Sequence, residues 1–153
     1  VNIFVTDPNP AISAHSLDDK RVIKMILESA QMLSTAMTTT NIGGAPYKAT
    51  HVNHPCSIWA RQSKQNFEWL LIHLASLCTE YTARYNKIHK TAQYISLFAL
   101  NVKWFPDTGL TPFANCTPHK NMETIDAYRR TMKEKWAADK RTPTWKNTVG
   151  PSW

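Results

Sequence analysis

DDKRVIKMILESAQMLSTAM, Asp18 to Met37, decides the fold. Val22, Met25, Ile26, Ala30, Leu33 and Met37 recur at spacings of three and four, the period of a helix buried along one face. The acidic pair at its start suits a helix N-terminus, so Asp18 or Asp19 reads most simply as a cap. Thr38, Thr39 and Thr40, then Gly43, Gly44 and Pro46, end the helix in a loop. Before it, Asn2 to Thr6 reads as a short extended run, Asp7 to Pro10 as a turn and Ala11 to Leu17 as a short helix. After it, Tyr47 to Pro55 is irregular, and Pro55 suits a first helical turn. Ser57 to Arg84 is the longest helical pattern, with Trp59, Ser63, Phe67, Leu70, Leu74, Leu77 and Tyr81 in one stripe. Thr91 to Val102 and Met122 to Ala138 predict two further helices. Between them, Phe105 to His119 carries Pro106, Pro112 and Pro118 and reads as a long ordered loop. The tail, residues 142–153, holds Trp145 and Trp153 and is expected to pack on the body. The fold class is therefore all-α: one compact helical domain over residues 1–153 with long ordered loops and little or no sheet.

Hydrophobic residues make up 42% of the 153 residues, enough for a packed core and too many for a disordered tail. A domain of this size buries roughly two-thirds of its unfolded surface, so folding needs neither metal nor disulfide. No apolar run reaches the roughly 18 residues of a membrane span, and Val1 to Pro10 lacks the basic-then-apolar pattern of a signal peptide. Cys56, Cys78 and Cys116 are odd in number and unpatterned, so they predict reduced thiols in a cytoplasmic protein. His51, His54, His73 and His89 are irregularly spaced, and neither HExxH nor CxxC occurs. No metal, no cofactor, no membrane association and a monomer are expected.

Eighteen Lys and Arg against eleven Asp and Glu give a net charge of +7, which asks for a polyanionic partner unless it is simple surface basicity. The charge gathers in three places: Lys20, Arg21 and Lys24; Arg84, Lys87, His89 and Lys90; and Arg129, Arg130, Lys133, Lys135, Lys140, Arg141 and Lys146. The last set alternates with Tyr128, Trp136 and Trp145. Basic groups hold phosphates and aromatic rings stack bases, so DNA is the expected partner, with nucleotide or RNA left open. His54, with Trp59 and Arg61 on the following turns, reads as part of a polar pocket. Asn66, in phase with Trp59 and Ser63, has either a structural partner or a base-like ligand.

Two residues stand out for chemistry. Glu28 lies within the apolar part of the Asp18–Met37 helix, either at the edge of its stripe as an ordinary solvent-facing glutamate or inside a cleft, where burial raises a carboxylate's pKa and suits it to general acid or base work. The chain begins with Val, whose small side chain is compatible with removal of an initiator Met. A free α-amine is a weaker base than a lysine amine, so part of it is neutral near pH 7 and can attack a carbonyl-like carbon to form an imine.

These residues together resemble the phage-type pyrimidine dimer DNA glycosylase with AP-lyase activity, often called endonuclease V. The likeness has four parts: the Val1-Asn2-Ile3-Phe4 start; Asp19 preceding Glu28 by nine positions; the stretch from His51-Val52 into the next helix; and Arg141-Thr142-Pro143-Thr144-Trp145-Lys146 near the end. The resemblance implies that the Val1 amine attacks the sugar C1′ of a damaged nucleotide. It implies that Glu28 supports the sugar chemistry and β-elimination, with no metal. Where that family has arginines one residue before and three after its glutamate, this chain has Leu27 and Gln31; its histidine in this helix corresponds to Arg21. Gln31 thus joins the expected DNA contacts. A base- or nucleotide-modifying transferase, a non-catalytic nucleic-acid-binding protein and a protein-binding role are the alternatives.

Overall fold

The computed structural model describes all 153 residues. Six α-helices follow in order: α1 (Pro10–Ser16), α2 (Asp19–Thr39), α3 (Pro55–Gln62), α4 (Lys64–Tyr85), α5 (Ile95–Asn101) and α6 (Thr124–Ala138). Short 3-10 turns, Lys90–Tyr94 and Val102–Trp104, flank α5, and there is no strand. None of the helices is long and apolar enough to cross a membrane.

The stripe of α2 is buried as its period predicts: Val22, Ile26, Ala30, Leu33 and Met37 are fully covered. That face packs on α4 and α3, while α1 lies across α4. The long pattern from Ser57 to Arg84, however, is two helices. Ser63 sits between them at φ −152° and ψ 160°, and its hydroxyl accepts the Asn66 amide at 3.0 Å to start α4. Hydroxyl capping of this kind offers the backbone an alternative to continuing the helix. Asn66 repairs the break. Its side-chain amide donates to the Trp59 carbonyl at 2.8 Å and to Thr111 Oγ1 at 2.7 Å, and its oxygen accepts the Thr111 amide at 2.9 Å. The expected Thr91–Val102 helix is α only over its middle, and the last helix starts at Thr124 because Glu123 caps the Asp126 amide.

Asp18 occupies the N-cap position of α2, but neither Asp18 nor Asp19 caps the helix through its side chain. The Asp18 carboxylate makes no capping bond to its own helix; it accepts from Trp136 Nε1 at 2.8 Å and from Arg21. Asp19 receives the tail: the Lys146 amide at 3.0 Å and the Thr144 hydroxyl at 2.7 Å, while its own amide donates to the Thr144 carbonyl. Arg84 closes this junction from α4. Its guanidinium donates to the Leu17 and His15 carbonyls, to Asp19 and to Glu80, with 1% of its side chain exposed.

Two outcomes are expected from this packing. Arg84→Met removes the guanidinium from Asp19 and Glu80 and the donors of the His15 and Leu17 carbonyls, and should lower unfolding free energy by about 3–5 kcal/mol in urea titration. His73 donates from Nδ1 to the Pro10 carbonyl at 3.0 Å, its Nε2 has no partner, and burial pulls its pKa from 6.5 to about 4. The folded pKa lies below the unfolded one, so this contribution is complete above pH 6.5 and is lost as the pH falls from 6.5 towards 4. The loss should be about 3 kcal/mol, and His73→Phe should flatten that part of the stability–pH curve.

Candidate active site

The N-terminal segment is held in a hook. Asn2 Oδ1 accepts the amides of Ile3 at 2.7 Å and Phe4 at 3.1 Å. Phe4 then adopts a left-handed φ of 57°, which costs an aromatic residue roughly 1–2 kcal/mol. Burial of its ring edge-on against Tyr128, at 6.4 Å, offsets that cost. The Phe4 carbonyl accepts from Ser13, and Thr6 bonds both Ser13 and Ser16, so α1 anchors the end of the hook.

The hook brings the Val1 nitrogen within 3.2 Å of Glu28 Oε1, with the two side chains only 6% and 18% exposed. Glu28 lies at the border of α2's stripe, between exposed Leu27 and buried Ser29. Its second oxygen, Oε2, is buried and has no partner. The arrangement is the Val1 nitrogen, a carboxylate oxygen close enough to exchange a proton with it, and one carboxylate oxygen with no partner.

His54 borders this pair. Its Nδ1 accepts the Cys56 amide at 3.1 Å, capping α3. Burial lowers its pKa, and the nearby Val1 ammonium and His51 lower it further, so the ring stays neutral beside the amine. Beyond His54, the sulfurs of Cys56 and Cys116 lie 3.5 Å apart. The hydrogen bond between them holds Cys116 down to about 6, while that bond and burial push Cys56 up.

Polar and basic residues lie on two helices: α2, which carries Glu28, and α6, which touches the N-terminal segment. Lys20, Lys24 and Gln31 lie at four- and seven-residue spacings along the outer side of α2, the two lysines exposed and Gln31 half-buried. From α6, Lys135 Nζ stands 5.8 Å from the Phe4 ring, and Arg129 donates to the Thr6 carbonyl at 2.8 Å. Arg129 and Lys133 also flank the Trp153 ring at 5.3 and 5.9 Å. With Arg130 they line a surface cavity of about 420 Å³. Trp153, stacked on Trp136, completes that basic–aromatic surface, a feature the sequence pattern did not single out.

Several expected DNA contacts are structural instead. Arg84 and Asn66 are buried and their polar atoms are taken. Arg21 is 9% exposed and paired with Asp139 at 2.8 Å. Trp145 donates to the Ser16 carbonyl and packs edge-on against Trp136. Arg61 donates to the Val52 carbonyl at 2.7 Å, fixing the turn that leads to His54. Lys87 and Lys90 are exposed at the far end of α4, and Lys146 lies over the Tyr85 ring. A cavity of about 780 Å³ opens between Asp18–Asp19 and Ala138–Thr144 and does not include the Val1 nitrogen. Asn2, Phe4 and Tyr128 were not expected at the site. Only the Asn two residues into the chain, a residue prone to bonding its own backbone, could have signalled the hook.

Among known families, the one described as pyrimidine dimer DNA glycosylase matches residues 1–93. That segment carries the hook, α2 with Glu28, α3 and α4; the loop bearing Cys116, α6 and the tail lie beyond it. No curated protein and no solved structure matches the chain.

The two thiol environments give a direct check. Cys116 is held near 6, and burial pushes Cys78 up to about 11. The thiolate is the reactive form. In metal-free protein, iodoacetamide should modify the half-exposed Cys116, whose pKa is lowered, well ahead of the buried Cys78, whose pKa is raised. Cys78 should stay unmodified at pH 7, as read by peptide mass mapping.

Proposed function

The chain belongs to the pyrimidine dimer DNA glycosylase family, and from that premise we propose that it is a DNA N-glycosylase and AP lyase acting on damaged or modified pyrimidines. The observation that carries this reading is the 3.2 Å contact between the Val1 nitrogen and Glu28, with Glu28 Oε2 buried and free.

In the proposed reaction, Glu28 accepts a proton from the Val1 ammonium. The neutral amine attacks the sugar C1′, a C–N bond forms, and the glycosidic bond breaks as the base departs with its electron pair and takes the proton that Glu28 holds, which returns Glu28 to the carboxylate. The C1′–O4′ bond then breaks as the nitrogen's second proton passes to O4′, and the open sugar is left as a protonated imine. That iminium draws electrons from C2′, so a C2′ proton can be removed; Glu28 Oε2 is the free acceptor for it. The 3′ phosphate leaves in the β-elimination. Water then hydrolyses the imine and regenerates the amine. The flanking Lys20, Lys24, Arg129, Arg130 and Lys133 would hold the phosphate backbone, Gln31 would add a polar contact beside Glu28, and Trp153 offers a face on which an unstacked base can rest. His54, neutral beside the amine, leaves no like charge to oppose the forming iminium.

The test is incubation with thymine-dimer and abasic-site duplexes, with and without borohydride. The expected result is a covalent adduct whose proteolytic fragment begins at Val1. Glu28→Gln should lower strand cleavage by about 10²–10⁴-fold while DNA binding persists. An extra Met ahead of Val1 should abolish the adduct. Asn2→Ala, which releases the hook, should slow adduct formation with little change in salt-dependent affinity. Binding without any adduct, unaffected by Glu28→Gln, would instead support a non-catalytic nucleic-acid-binding protein.

A further inference from the structure

We propose that His54, Cys56 and Cys116 together form a binding site for a soft divalent metal ion of the zinc class. Their ligand atoms all lie within 4.8 Å of one another. The spacing of the sulfurs is informative. Two thiolates on one tetrahedral zinc, each about 2.3 Å from the metal, stand about 3.8 Å apart, whereas a disulfide requires about 2.0 Å. The observed separation is 3.5 Å, close to the metal-bridged value. Two sulfurs and an imidazole are the donor set that favours zinc over magnesium or calcium, and two thiolates balance its charge.

The three ligands are positioned independently of any ion. Pro55 and the first turn of α3 fix His54 and Cys56. The Nδ1 lone pair of His54 already points at the Cys56 amide, so metal binding there exchanges one hydrogen bond for a metal–nitrogen bond. Cys116 is set from the opposite side. Tyr128 Oη donates to the Ala114 carbonyl at 2.8 Å and accepts the Cys116 amide at 3.3 Å, and Asn115 Oδ1 accepts from Thr117 at 2.7 Å. Cys56 is buried, while His54 and Cys116 are half-exposed, so the fourth coordination position faces solvent. The third ligand lies 60 residues beyond Cys56, which is why no sequence motif announces the site. An ion here would fasten the 105–119 loop to the start of α3, beside the Ile3 amide and directly behind the hook. The inference stands on this geometry and not on the glycosylase reading.

The experiment is cobalt titration of the full chain after reduction and chelator treatment. One equivalent should produce thiolate-to-cobalt charge-transfer absorption in the near ultraviolet and intense visible bands of tetrahedral cobalt, both abolished by excess zinc. Cys116→Ser, at a half-exposed loop position, should lose half or more of the charge-transfer intensity, and His54→Ala should weaken affinity at least tenfold. Cys78→Ser should bind as the parent does. Zinc should raise the melting temperature of the parent and of Cys78→Ser but not of Cys116→Ser, and should protect Cys116 from alkylation. Absence of the charge-transfer band at one equivalent, its retention at more than half intensity in Cys116→Ser, or recovery of the Cys56–Cys116 pair as a disulfide in the reduced, zinc-supplemented protein would each overturn the proposal.

Discussion

The buried guanidinium of Arg84 is the constraint on which the N-terminal architecture depends. It takes the carbonyls of His15 and Leu17 at the end of α1, Asp19 at the start of α2 and Glu80 on its own helix, and the Arg84 carbonyl receives Asn147 from the tail. A charge this deep is tolerable only if every donor finds an acceptor. That requirement leaves α1 one position relative to α2 and α4. Ser13 and Ser16 on α1 then fix Thr6, and Asn2 folds the first residues back, so the amine reaches Glu28. The guanidinium contributes less as net stability than as uniqueness of geometry. It is a sequence-distant support for the first residue of the chain.

α2 connects the two ends of this construction. Asp19 and Glu28 are nine residues apart, about 13.5 Å along a helix. At the first, the tail docks through Thr144 and Lys146; at the second, the amine docks. Three of the sequence features that carried the family resemblance are thus one connected structure. The segment 141–146 lies outside the matched residues 1–93, yet it bonds to Asp19 within them. The tail braces the helix that presents the carboxylate.

Legibility in the sequence followed the range of the interactions involved. The burial of α2 is a local period and could be read directly. The break at Ser63 could not, because Ser63 keeps the phase of the stripe and the partner of Asn66 is Thr111, in a distant loop. Arg21, Arg84 and Asn66 looked available to a ligand because a sequence shows polarity but not the acceptors that consume it; Arg21 finds Asp139 at 118 residues' distance. The Cys56–Cys116 approach is invisible for the same reason. Glu28 was legible as an anomaly, a carboxylate in an apolar run. Its pairing with Val1 came from the family resemblance and not from any periodicity.

Four buried side-chain polar atoms have no partner: Glu28 Oε2, Ser29 Oγ, Ser57 Oγ and His73 Nε2. Three of the four belong to residues at or beside the amine site, on α2 next to Glu28 and on α3 next to Cys56. An unsatisfied buried polar group costs about 1–3 kcal/mol, and native interiors rarely tolerate such a cluster without a reason. His73 stacks on Trp69 through its ring face, which leaves the in-plane Nε2 unpaired. The others concentrate where the proposed reaction needs an acceptor that the protein itself does not fill. Glu28 is half-committed: Oε1 to the amine, Oε2 to nothing. A ligand group that donates to Oε2 would relieve a cost already present in the free protein, and relief realised as the imine forms would favour the transition state over the resting pair. The imperfect pairing of Glu28 is what the proposed catalytic role requires, whereas Asp19, nine residues earlier on the same helix, has both oxygens paired as a structural carboxylate does.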